Sequence, residues 1–492
     1  MNIYKTYLFS LLTSFAILSC SSDSEDFKNI EENQETATTT PETQPEDKLE
    51  VENFIYRGMN DIYLYKAHVP ALADDYFESE EEKINFLENF SSPSNLFERL
   101  MADQDRFSYL IEDYREMNKM STNKTGTGME FGLSAYGSDG TDVFGFVKLV
   151  LPNSSAAAKG VERGMIFTRI NGTSLTSSNF RSLASLSNFS IGLAEIDGNQ
   201  IRELDRTISL NTGAFSANPV GEAKILNVSG RKVGYLYYDS FDQDFDEELN
   251  AAFSTFKGAG VSDLVLDLRY NGGGSVRTAT DLAAMITGQF ANQVFMIEEW
   301  NEKYQTHFEQ NDPERLKNNF NTQIRTGTGI NSLNLNRVFV LTTKETASAS
   351  ELIINGLNPY IDVIHIGDVT TGKFQASVAI YDSPDFSKDS NGLNTNHHYA
   401  MQPLVLKSSN KNNVSDFVNG LNPDHELPED VTNLGVLGDP NEPLLKLAID
   451  IIQGNRSSVP NVKTYTRVGN SKMFEPEYQK MYIDNKDLPV IK

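Results

Sequence analysis

The stretch from Val338 to Lys373 constrains the fold more than any other. An apolar run, Val338 to Leu341, gives way to small polar residues and then to Ser348-Ala349-Ser350-Glu351. Leu352, Ile353 and Leu357 follow at helical spacing. A second apolar run, Val363 to Ile366, leads into Thr371-Gly372-Lys373. This order predicts strand, sharp turn, helix, strand, glycine, lysine, as in an α/β layer. A serine that opens a helix lies where backbone N–H groups and the helix dipole favour negative charge. A lysine held in an apolar setting loses proton affinity and can act as a general base. Serine with lysine is one variant of the nucleophile–base pair. Taken alone, Ser348-x-x-Glu351 also spells a capping box, which many helices carry without any chemistry.

A second unit of the same kind lies upstream. Val233 to Tyr238 reads as a strand. Phe245, Leu249, Ala252, Phe253 and Phe256 fall on one helical face. Leu264 to Leu268 reads as a buried strand running into Arg269-Tyr270-Asn271-Gly272-Gly273-Gly274, with a helix following to Ile286. Three glycines let a backbone come close to a ligand.

Together these stretches resemble the C-terminal processing peptidases, the tail-specific serine proteases. The resemblance rests on Thr346 to Glu351, on Thr370 to Lys373, on the 25-residue interval from 348 to 373, and on the Asp267-Leu268-Arg269-x-Asn271-x-Gly273-Gly274 motif. It implies that Ser348 is the nucleophile and Lys373 the general base. It also implies an oxyanion hole made by the N–H of Ala349 and of Gly274 or Gly273. The family often places a glutamine four residues after the lysine to orient it. Here that position is Ser377, and Gln375 is offered as the substitute, because both positions face the lysine's side of a strand. The resemblance covers about residues 50–455. It implies a multidomain α/β protein with a helical domain, a PDZ-like β-rich domain, and a catalytic domain with a crotonase-like layered α/β core.

The remaining chain divides accordingly. Cys20 is the only cysteine, so a disulfide within the chain and a cysteine-based metal site are both excluded. Lys5, the apolar run Leu8 to Leu18, and Leu18-Ser19-Cys20 resemble a bacterial lipobox. Residues 1–20 are then a lipoprotein signal peptide and Cys20 the lipidation site. Residues 21–50 hold ten Asp or Glu against two Lys and read as a disordered acidic tether. Residues 51–118 read as a helical domain, from Phe54, Met59, Ile62 and Tyr63 onward. Residues 119–215 turn glycine-rich and alternating, and resemble a bacterial PDZ domain. In that likeness Gly128, Phe131, Gly132 and Leu133 receive a peptide C-terminus by strand addition, and Asn171-Gly172 makes a hairpin turn. Met165 stands where the family usually has Asp. Residues 216–455 form the serine protease catalytic domain. Within it, 289–335 read as one extra strand and a long surface excursion. Residues 456–492 are a C-terminal tail without a usable signal.

The expected activity is that of a serine endopeptidase acting through a Ser-Lys dyad on proteins recognised by their C-termini. It needs no cofactor and no metal. There is no HExxH, and His397-His398 would point to opposite faces of a strand. The expected setting is the bacterial cell envelope, lipid-anchored, at the outer membrane. A formal net charge of −26 argues against nucleic acid as a partner. The reading from another class is a catalytically silent peptide-binding lipoprotein.

Overall fold

The computed structural model describes residues 49–491 apart from 116–122, 138, 199, 456–461, 463, 476–477 and 489–490. Cys20 and the tether up to residue 48 lie outside the described residues.

The opening helix, Glu50–Ile62, buries Phe54, Ile55, Met59 and Ile62 along one face. Two short helices follow, Glu80–Glu88 and Pro93–Arg99. Each is capped by a serine, Ser79 accepting from Glu82 N and Ser92 from Asn95 N. This region has no separate core. Its apolar residues pack into the same cluster as the catalytic part. Gly58 lies so close to Met401 and Ile380 that a Cβ there would fall about 2.5 Å from them. The segment also ends in a strand, Tyr109–Ile111, which pairs with Ala400–Gln402.

The middle region does have its own core, built from Phe131, Leu133, Val147, Phe167, Ile170 and Ile191. Strands Met129–Tyr136, Asp142–Val150, Ile166–Ile170, Phe189–Asp197 and Gln200–Leu210 follow one another across an antiparallel sheet. Asn171 and Gly172 turn with φ of 51° and 76°, as an Asn-Gly hairpin turn requires.

The large part is layered. Strands Arg231–Tyr238, Asp263–Asp267, Arg337–Thr342 and Asp362–Gly367 lie side by side and parallel. Their side chains alternate. Leu264, Leu266, Val338 and Val340 face the main core, whereas Val265, Phe339 and Leu341 face a second core against helix Pro443–Gln453. The main core packs helices Asp246–Ala259, Val276–Ile286 and Ala349–Leu357 with residues of a second six-stranded sheet. That sheet contains Val294–Trp300, Leu404–Ser409 and Gln375–Ser377. The parallel register puts the carboxyl ends of the strands together. The loops that leave them carry residues 268–274, 343–348 and 368–373, which is where open α/β sheets bind ligands.

Two expectations are corrected here. Residues 289–335 are not a bare surface excursion. Val294–Trp300 joins the second sheet, helix Glu302–Asn311 follows, and Trp300 is buried against Tyr304. The 456–492 stretch is not a passive tail. Thr466–Asn470 pairs antiparallel with Met129–Tyr136, and Met481–Tyr482 lies between Gly274–Ser275 and Gln375–Ser377 in the second sheet.

Candidate active site

Ser348 is fully buried and stands immediately before helix Ala349–Leu357. Its φ is +68°, a left-handed conformation that costs a non-glycine residue energy and persists only where the surroundings enforce it. They do so through the neighbouring glycine loop. Ala347 N donates to Asn271 O at 3.1 Å, Ser350 Oγ donates to the same oxygen at 3.1 Å, and Thr346 Oγ1 donates to Leu268 O at 2.9 Å. The two loops are thus one hydrogen-bonded body.

Gly273 is where they touch. A Cβ on it would fall 2.6 Å from Ser348 Cβ and 3.1 Å from Ala349 N, and its φ is +109°. Both facts demand glycine. Its own N–H is already taken, donating to Asn271 Oδ1 at 2.8 Å. Gly274 differs. Gly273 O accepts from Phe241 N at 2.9 Å, and Ser275 N donates to Phe241 O at 2.8 Å. The polar groups of Gly274, one residue between, face the opposite side, toward the Met481–Tyr482 strand with which it is in register. Of the two glycines, Gly274 has the N–H turned to the cleft.

Glu351 ties the nucleophile to the lysine. Its carboxylate accepts from Ser348 N at 2.7 Å, Gly372 N at 2.7 Å, Lys373 N at 2.9 Å and the Thr370 hydroxyl. Only half of a capping box is formed, since Ser348 Oγ has no hydrogen-bond partner among the described residues. Glu351 is itself buried, and that burial raises its pKa, while its four donors oppose the rise.

Lys373 is 2% exposed, and burial pulls its pKa down to about 7. Its Nζ lies 4.7 Å from the Phe107 ring centroid and donates to Gln479 O at 2.7 Å. Hence Ser348 and Lys373 are brought to one cleft, with their backbones held by one carboxylate, yet their side chains are not hydrogen-bonded to each other. Gln375 Nε2 donates to Tyr65 Oη at 2.8 Å, and its Oε1 has no partner among the described residues, so no hydrogen bond joins it to Lys373. Ser377, at the position of the family glutamine, donates to Met481 O at 3.0 Å and accepts from Gln402 Nε2 at 3.0 Å.

The edge of the middle sheet lies apart from this cleft. Gly128 has φ of +73° and meets Ser154. Phe131 is buried against Phe167. Gly132 and Leu133 pair with Asn470 and Gly469 of this same chain. Arg163 links the two regions. It donates to Tyr270 Oη at 2.8 Å and pairs with Glu429 at 2.9 Å, and Glu429 also receives Arg269.

Three participants were not singled out from the sequence as members of the site. Glu351 was visible only as a capping residue. Asn271 was visible only as part of a motif. Gln479 had no signal at all.

Residues 232–393 match peptidase family S41, and residues 50–109 match the peptidase S41 N-terminal domain. A carboxyl-terminal-processing protease of Picosynechococcus sp. is 22% identical over 361 residues, which is 72% of this chain and 77% of that one. A crystal structure from Bacteroides fragilis described as an S41 protease superimposes with a TM-score of 0.62 at 26% identity, covering 82% of this chain and 97% of that chain.

Proposed function

The chain belongs to peptidase family S41 and is a serine-type peptidase, and from that premise we propose that it cuts proteins through Ser348 and Lys373. The observation that carries this reading is the buried Lys373, its pKa drawn down to about 7, fixed to the backbone of Ser348 by the Glu351 carboxylate. Neutral Lys373 takes the Ser348 hydroxyl proton as Oγ attacks the scissile carbonyl carbon. The N–H groups of Ala349 and Gly274 receive the oxyanion, and removing one such donor typically costs ~2.7–4 kcal/mol of barrier. The C–N bond then breaks, Lys373 returns the proton to the leaving amine, and water hydrolyses the ester on Ser348.

Substrates are chosen by their C-termini at the Gly128–Leu133 edge of a PDZ-like domain. The catalytic core is crotonase-like. The chain is attached to the cell envelope by a lipid on Cys20 and stands off the membrane on its acidic tether. The silent-binder reading is not favoured, since Ser348, Lys373 and the loops that hold them are all present.

A fluorophosphonate probe tests the proposal. Wild type should be labelled covalently and should degrade unfolded casein, and Ser348→Ala should do neither. Casein hydrolysis by Ser348→Ala at the wild-type rate would sink it.

A further inference from the structure

We propose that residues 466–482 of this chain are an internal ligand of the substrate groove, a strand that must leave before the enzyme turns over. The proposal rests on the peptidase reading above. Two separate contacts carry it. At the edge of the middle sheet, Thr466–Asn470 forms the added strand, in register with Gly132 to Ala135, and Phe131 N donates to Ser471 Oγ at 3.0 Å. This is the backbone that strand addition by a guest peptide would need. The segment is pinned there by Lys472, which is buried and bonds Asp239 at 2.7 Å and Glu130 at 3.2 Å.

At the catalytic cleft, the same segment returns. Gln479 O holds Lys373 Nζ at 2.7 Å, and Met481 O accepts from Ser377 Oγ at 3.0 Å. Lys480 O lies 2.7 Å from the point a Cβ on Gly273 would occupy, the same point that lies 3.1 Å from Ala349 N. The register of the parallel pair directs Gly274 N–H to that carbonyl. A carbonyl therefore sits at the proposed oxyanion hole while the base is tied to the residue before it. Ser348 Oγ is left without a partner.

A strand that served only to complete the sheet would have no need to engage the lysine. The order of contacts also matters. A substrate that gave its C-terminus to the middle sheet would present an upstream bond to Ser348. This segment gives its upstream part to that sheet and its downstream part to the cleft, and Gln479 is bent there with φ of +55°. It blocks both stations in the reverse order, as an inhibitor rather than a substrate.

A reducible lock tests this. Thr466 and Ala135 are register partners on the two strands, Thr466 is exposed, and the only native cysteine is Cys20. The full chain with Thr466→Cys, Ala135→Cys and Cys20→Ser is compared with itself, oxidised and reduced, after mass analysis of the disulfide. Oxidation should lower kcat/KM on unfolded casein and slow fluorophosphonate labelling at least tenfold, and reduction should restore both. Equal rates in the two states overturn the internal-ligand proposal alone. Absence of labelling and cleavage in both states and in wild type overturns the peptidase reading and this one with it. Lys472→Met supplies the opposite perturbation. In a variant that melts like wild type, kcat/KM should rise severalfold, and an unchanged or lower value counts against the proposal.

Discussion

Replacing Glu351 separates the scaffold of this site from its chemistry. Its carboxylate is the sole acceptor seen for four donors, namely Ser348 N, Gly372 N, Lys373 N and the Thr370 hydroxyl. Oε2 receives Ser348 and Lys373, and Oε1 receives Gly372 and Thr370. Glu351→Ala strands all four in a buried place. An unsatisfied buried donor costs ~1–3 kcal/mol. Three backbone donors alone therefore put the loss at roughly 3 kcal/mol or more, a large part of a typical folding stability of about 5–15 kcal/mol. Glu351→Gln is milder. With its amide NH₂ at the Oε1 position, the Thr370 hydroxyl can turn to accept, and Gly372 N alone loses its acceptor, for ~1–3 kcal/mol. The carbonyl keeps Ser348 and Lys373 in place. Denaturant unfolding should therefore rank wild type above Gln and Gln above Ala. Fluorophosphonate labelling should fall modestly in Gln and by at least a hundredfold in Ala, measured where Ala remains folded. An Ala variant with the wild-type midpoint and labelling within twofold would refute the argument that this carboxylate holds the site together.

Three further outcomes are expected. Because burial lowers the Lys373 pKa to about 7, the competent neutral form grows as pH rises. The kcat/KM should climb with unit slope below pH 7 and level off above it, and Lys373→Ala should abolish hydrolysis with the fold retained. A profile flat from pH 5 to 9, or activity of Lys373→Ala within tenfold of wild type, contradicts the role of the lysine. Cys20→Ala should move the protein from washed membranes to the soluble fraction, and retention would show another attachment. A casein-like substrate ending in a free apolar residue should be cut faster than the same chain amidated or ending in Asp-Asp, since a carboxylate and an apolar side chain suit strand addition at Phe131 to Leu133. Equal rates for all three ends would remove the middle sheet from substrate choice.

What could be read from the sequence was local order within an element. The alternation of Leu264, Val265 and Leu266 and the apolar runs at 338–341 and 363–366 predict parallel strands. The structure pairs Leu266 with Val340 and Val340 with His365, side by side. The serine and the lysine were legible for the same reason. Each sits a few residues past a strand end, and parallel neighbours bring such ends together whatever the loops contain. What failed was anything that depends on which element a side chain meets. Gln375 shares a strand face with the lysine on paper, but Tyr65, 310 residues away in sequence, takes its amide. Trp300 looked like part of an excursion until Tyr304 and Phe308 were seen to pack on it.

The 466–482 segment was illegible for a stronger physical reason. A strand added at an edge is held by backbone hydrogen bonds, which any sequence without proline can make, so it needs no apolar alternation of its own. Thr466, Arg467, Val468, Gly469 and Asn470 show none. The groups that do fix the segment lie on the receiving side, in the buried carboxylates that Lys472 meets and in the lysine that Gln479 O holds. The same property makes the segment replaceable. A peptide with free backbone groups and a better end can compete for Gly132 to Ala135 on equal terms, because little in the occupant's side chains is specific to that edge. Its hold on Lys373 weakens as soon as the strand upstream lets go. The contest between segment and substrate is then decided at the sheet edge, some distance from the bond that is cut.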